Sequence, residues 1–262
     1  MWETEVTVVL HLADLPTWLV VLAWVSLSLG VLCSVFVIVD VTRHPQPMKV
    51  MNVVWPVCAL FGSVIWTAAY LWWGRATNAP STLKDMPGMH MRPALGLCGK
   101  PHSMPVSVFI GTSHCGGGCT LADLIVEWSV FAFPSLAVIG GWHWLFSDSL
   151  FATWVIAYFV ALAIGITFQF AAIAPMNPQR STGANIRAAA KADILSLTAW
   201  QVGMYGITAI TQLWLFPTWL GGQVAVDTPV FWFVMQIAMV AGFCTAYPIN
   251  WWLIKSGIKE RM

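Results

Sequence analysis

The chain has 262 residues, 58% of them hydrophobic and only 9% charged, where an ordinary globular domain carries about a quarter charged residues. A mean hydropathy of +0.75 excludes an ordinary soluble domain; the net charge of +1 says nothing about nucleic acid, and with no basic stripe interleaved with aromatics no nucleic-acid partner is expected. Apolar runs long enough to cross about 30 Å of hydrocarbon recur along the whole chain, so the expected fold is all-α, a polytopic membrane helix bundle forming a single domain over residues 1–262.

The first apolar run is Pro16–Val39. The segment before it, MWETEVTVVLHLAD, has no Lys or Arg and no small-residue cleavage site, so it does not read as a removable signal peptide. The second run is Val50–Trp73. Gly74 to Pro105 follows as the one long polar segment, rich in Pro and Gly and expected to be irregular over the membrane surface. The stretch PVSVFIGT, Pro105–Thr112, is apolar enough to form a re-entrant segment or part of a seventh crossing. The third and fourth runs are Cys119–Ile139 and Leu150–Ala174. Pro178 stops the fourth helix, and Ser181, Thr182 or Asn185 caps the next. The fifth and sixth runs are Ile194–Phe216 and Thr228–Ile254, giving six spans. With the N-terminus inside, ten of the twelve Lys and Arg fall on cytoplasmic segments, all but Arg43 and Lys49, so both termini are read as cytoplasmic in a cell (plasma) membrane.

The chemistry concentrates in GTSHCGGGCTLADLIVE, Gly111 to Glu127. Cys115, Cys119, Asp123 and Glu127 recur every four residues, which on a helix sets successive side chains about 40° apart on one slowly turning face. His114 joins them only if the backbone leaves the helix at Gly116–Gly118. Each carboxylate costs roughly 2.5 kcal/mol or more near the bilayer centre. Asp123 also fits a cap, with Thr120 as N-cap residue; Glu127, a turn deeper, has no such role. His114, Cys115 and Cys119 are soft and borderline ligands suited to cuprous copper or zinc, while a closed structural zinc pattern is absent. The competing readings are a thiol redox pair and two small cysteines packed between helices.

The polar segment before it adds Met86, Met89, His90, Met91, Cys98, His102 and Met104, an accessory set of soft ligands that favours copper over zinc or no metal. In the fifth run Asp193, Gln201 and Tyr205 fall at helical spacing as a polar seam, with Asp193 at the cytoplasmic mouth. No phosphate-cradling loop, nucleophile elbow or zinc-protease motif appears, and no reaction is assigned.

The residues GTSHCGGGCTLAD, Gly111 to Asp123, and NIRAAAKADILSLTAWQVGMYG, Asn185 to Gly206, make the chain resemble an uncharacterised bacterial and archaeal family of polytopic membrane proteins, known only as a domain of unknown function. The resemblance covers roughly the C-terminal 150 residues and implies a membrane protein with that cluster, without a reaction or substrate. The expectation from the residues is an integral membrane protein that binds and moves or delivers a soft metal ion, cuprous copper first. A membrane oxidoreductase and a non-catalytic subunit of a larger membrane complex are the alternatives, with a homo-oligomer allowed by any of them.

Overall fold

The computed structural model describes residues 8–46, 48–76, 102–176, 179 and 181–259. Helix dominates, as it must where long apolar runs satisfy their own backbone hydrogen bonds. The long helices are α1 (Thr17–Arg43), α2 (Met51–Ala69, continued by a π-helical turn at Tyr70–Gly74), α3 (Met104–Ala132), α4 (Ser149–Met176) and α5 (Thr182–Ala209). A second π-helical turn leads from α5 into the short α6 (Phe216–Leu220), and α7 is Pro229–Lys255. Two strands of two residues, β1 (Val9–Leu10) and β2 (Gln223–Val224), pair in parallel.

Among the described residues four segments are, by length and composition, apolar enough to cross a membrane: Thr17–Arg43, Met51–Gly74, Ser149–Ala174 and Pro229–Lys255. α1 and α4 leave large apolar side chains uncovered, among them Trp18, Val25, Leu32 and Phe159, a surface suited to lipid. α3 lies inside: every residue from Ile110 to Thr120 is buried, so neighbours cover all its faces. The polar helix is thus the one the apolar helices surround.

α3 departs from expectation at its start. Ser103 is the N-cap residue and Pro105 sits in the first turn, where its missing N–H costs nothing, so Pro105–Thr112 is ordinary helix and neither re-entrant nor separate. Thr120 is consequently not a cap. It is mid-helix, and its hydroxyl donates to the Gly116 carbonyl at 2.8 Å. Cys119 likewise is not at a helix start, and the glycine run does not break the helix.

The helix that doubles back is α2 instead. At Ser63 the backbone turns to φ 44°, ψ −123°, and the chain doubles back. The Trp55 and Tyr70 rings lie 5.7 Å apart and those of Phe61 and Trp66 4.9 Å apart, and a Cβ on Gly74 would meet the Trp55 indole at 2.5 Å. In a straight helix Trp55 and Gly74 would be separated by about 28 Å. Residues 51–62 and 64–74 therefore form a helical hairpin whose tip exposes Val64 and Ile65. Its second arm returns to the end of α1, where Arg75 grips Asp40 with two bonds of 2.9 Å and the Tyr70 hydroxyl donates to the same carboxylate at 2.7 Å.

This hairpin sets which connections share an end of the bundle. At one end lie β1, β2, the turns after α3 and the start of α7, tied by Gln223 donating to Asp148 at 2.9 Å. At the other lie the end of α1, both ends of the hairpin, the start of α3 and the end of α7, tied by the Tyr247 hydroxyl donating to the Pro105 carbonyl at 3.2 Å. Residues 8–10 and Lys259 consequently sit at opposite ends of α7, about 40 Å of helix apart, rather than together.

Candidate functional site

The three glycines of α3 make the site. Helix advances 100° per residue, so Gly116, Gly117 and Gly118 face three different neighbours. A Cβ on Gly116 would run into the Trp200 indole of α5. On Gly117 it would stand 3.3 Å from the Val54 backbone of the hairpin, and on Gly118 3.5 Å from the Gly165 backbone of α4. Each glycine costs about 1 kcal/mol of helix propensity, and together they let three elements close on α3 at the level of the cysteines.

On that level the thiols of Cys115 and Cys119 lie side by side, one turn apart. The Asp193 carboxylate of α5 lies beside the Cys115 thiol and close enough to Cys119 for their charges to interact. It is fully buried, and neither oxygen meets an aligned hydrogen-bond donor. Its seat is the bare backbone of Gly165, since a Cβ there would overlap the Asp193 carboxylate oxygen. Asp193 is thus not at a mouth: α5 begins at Thr182, three turns before it, and draws it into the interior.

Asp123 and Glu127 continue the stripe along α3, both buried, with the Asp123 Oδ2 unpartnered. Helix without interruption thus places Cys115, Cys119, Asp123 and Glu127 on one face, and separates His114 from them. His114 is 1% exposed, turned toward α4 with its ring 6.0 Å from that of Phe168, and neither ring nitrogen has an aligned partner. Among the described residues no three His, Cys, Asp or Glu side chains stand together as a set that would surround a metal ion.

From the polar seam, Gln201 is buried with both amide atoms unpartnered. Tyr205 is half-buried; its ring stacks on Trp154 at 4.7 Å and its hydroxyl donates to the Trp154 carbonyl at 2.9 Å, near Cys119, Asp123 and Glu127. His102 and Met104 stand at the start of α3, about 15 Å along the helix from His114. Met86, Met89, His90, Met91 and Cys98 lie outside the described residues.

Several members carry little signal in the sequence. Cys58, alone in an apolar run, donates its thiol to the Ser113 carbonyl at 3.2 Å and lies near Cys115. Gln169 of α4 is buried, its Oε1 unpartnered. Lys259 reads as one more terminal charge, yet its ammonium is buried and donates to Asn250 Oδ1 at 2.7 Å and to the Gly111 carbonyl at 3.3 Å. Of the eleven buried side-chain atoms without a partner among the described residues, ten belong to α3, α4 and α5. Buried groups left unpaired cost about 1–3 kcal/mol each, so so many in one interior mark a place for water, protons or an ion.

Residues 106–259, more than half of the chain, match the family model described as Domain of unknown function (DUF4396). The chain belongs to that family. The matched region of this DUF4396 member runs from the first turn of α3 to Lys259 and holds every group of the buried cluster except Cys58; α1 and the hairpin lie outside it. No curated protein and no solved structure matches the chain.

Proposed function

We propose that this DUF4396 protein crosses the membrane five times, carries a re-entrant hairpin at 51–74, and binds a soft cation, cuprous copper, in its interior for transport or delivery. The membrane arrangement is supported by charge. With the hairpin folded back, all seven Lys and Arg among the described residues belong to segments or helix ends on the side of the hairpin's feet, Arg43 and Lys49 included, which six crossings would leave on the other side. That side is the cytoplasmic one, because cations are retained there. The C-terminus is then cytoplasmic and the N-terminus outside, which replaces the expectation that both ends are inside. Among the described residues the outer segments carry Asp14, Asp148 and Asp227 and no Lys or Arg.

The observation that carries the cation reading is the thiol pair Cys115–Cys119 beside the buried, unpartnered Asp193 carboxylate. Thiolates favour cuprous copper over hard cations, and a cuprous ion is content with two soft ligands, so a closed four-ligand shell is not required. Asp193, beside Cys115, is the first base that the departing thiol protons meet. Loading the ion displaces the two thiol protons, and Asp123 and Glu127, on the same face of α3, are the acceptors that lead them away. Gly165 and Gly118 hold α4 close enough to keep lipid out.

The test is metal analysis of the purified protein after loading with cuprous ion under reducing conditions. One ion per chain is expected, lost in Cys115→Ser and in Cys119→Ser and weakened in Asp193→Asn. Copper retained in both cysteine variants, or no copper in the unmodified protein, refutes the reading. A disulfide between Cys115 and Cys119 trapped from intact cells would favour the thiol oxidoreductase instead.

A further inference from the structure

We infer that Lys259 is a tethered cation that closes the cytoplasmic mouth of the buried site when no other cation occupies it. This rests on the site of the preceding section, not on its cargo. Past the end of α7 the chain turns at Gly257, whose φ of 71° suits glycine, and folds back so that the amides of Ile258 and Lys259 bond to the Leu253 carbonyl at 3.0 and 3.1 Å. The Lys259 side chain enters between α3, α5 and α7 and is 2% exposed, while Lys255, one turn earlier, is exposed.

Its receptacle is built. Asn250 accepts from the ammonium at 2.7 Å and is itself oriented by donating to Ser196 Oγ at 2.7 Å and the Ala246 carbonyl at 3.0 Å. The Gly111 carbonyl is the second acceptor, at 3.3 Å. Both acceptors are neutral. Among the described residues Lys259 forms no ion pair, although its charge acts on both Asp193 and His114. An ammonium and a carboxylate buried in one apolar interior without meeting are each costly, and the pair makes sense where a third charge comes and goes between them. Lys259 is also the only buried Lys or Arg among the described residues. An ammonium held by neutral dipoles is a resident that the turn at Gly257 can carry outward.

The experiment compares alkylation of Cys115 and Cys119 by N-ethylmaleimide in the unmodified protein and in Lys259→Ala, with the more exposed Cys33 and Cys244 as internal references. Removing the plug is expected to raise the rate at Cys115 and Cys119 by about tenfold or more and leave Cys33 and Cys244 unchanged. Equal rates at Cys115 and Cys119 in the two proteins would overturn the inference. A second measurement needs no variant: acetylation by acetic anhydride, read by mass spectrometry, is expected to be about tenfold slower at Lys259 than at Lys255, and equal rates would also overturn it. Copper binding absent from both proteins with the alkylation difference intact would refute the cargo and keep the plug.

Discussion

Ser63 is the residue on which the membrane arrangement turns, and Ser63→Gly tests it by sign. With φ 44° and ψ −123°, Ser63 holds a conformation that L side chains adopt at a cost of order 1–3 kcal/mol. Glycine adopts it freely but loses about 0.5–1 kcal/mol more backbone entropy on folding, so the hairpin predicts a net gain of about 1 kcal/mol for Ser63→Gly. A straight helix crossing at this point predicts the reverse, a loss of about 0.5 kcal/mol, because glycine is the poorer helix former. Ser63→Val sharpens the contrast: a β-branched residue at positive φ should cost the hairpin about 2 kcal/mol or more and a straight helix next to nothing. Thermal unfolding of the detergent-purified protein reads the difference, at roughly 2–4 °C per kcal/mol for a chain of this size. A lowered midpoint for Ser63→Gly together with an unchanged one for Ser63→Val would refute the hairpin.

Sidedness provides a second measure. In a cysteine-free background, Lys49→Cys and Arg75→Cys, at the two feet of the hairpin, should both react with a membrane-impermeant maleimide from the cytoplasmic face, and Asp14→Cys only from the outside; Lys49 and Arg75 on opposite faces would sink the arrangement. Gly165→Ala should push the Asp193 carboxylate from its seat, cost about 1–3 kcal/mol of stability through overpacking, and weaken copper binding about tenfold with both cysteines intact. An unchanged affinity in that variant would remove Asp193 from the site.

The stripe Cys115, Cys119, Asp123 and Glu127 was legible because spacing by four has one meaning on an unbroken helix. The role of Asp193 was not. Lys191 stands beside it in the sequence and suggests a helix mouth, whereas Gly165 of another helix provides the space that buries it. Thr120 and Asp123 fit a cap as a local pattern, yet a helix that starts at Met104 makes the pattern irrelevant. Lys259 looked like one more terminal charge because the groups that receive it, Asn250 and Gly111, lie in α7 and α3.

What the sequence by itself determined is the class of molecule, an all-helical chain with apolar runs of membrane length, together with the one helix that gathers thiols and carboxylates on a face. These follow from composition and from short-range periodicity, which act within a helix. Whether the run at 51–74 stays straight or doubles back was decided only in three dimensions. The same apolar residues serve either course, and the choice rests on long-range pairs, Trp55 against Gly74 and Arg75 on Asp40, that no local pattern announces. The same holds for the cluster itself, because burying Asp193 and Lys259 around Cys115 requires three helices to close on glycines distant in the chain.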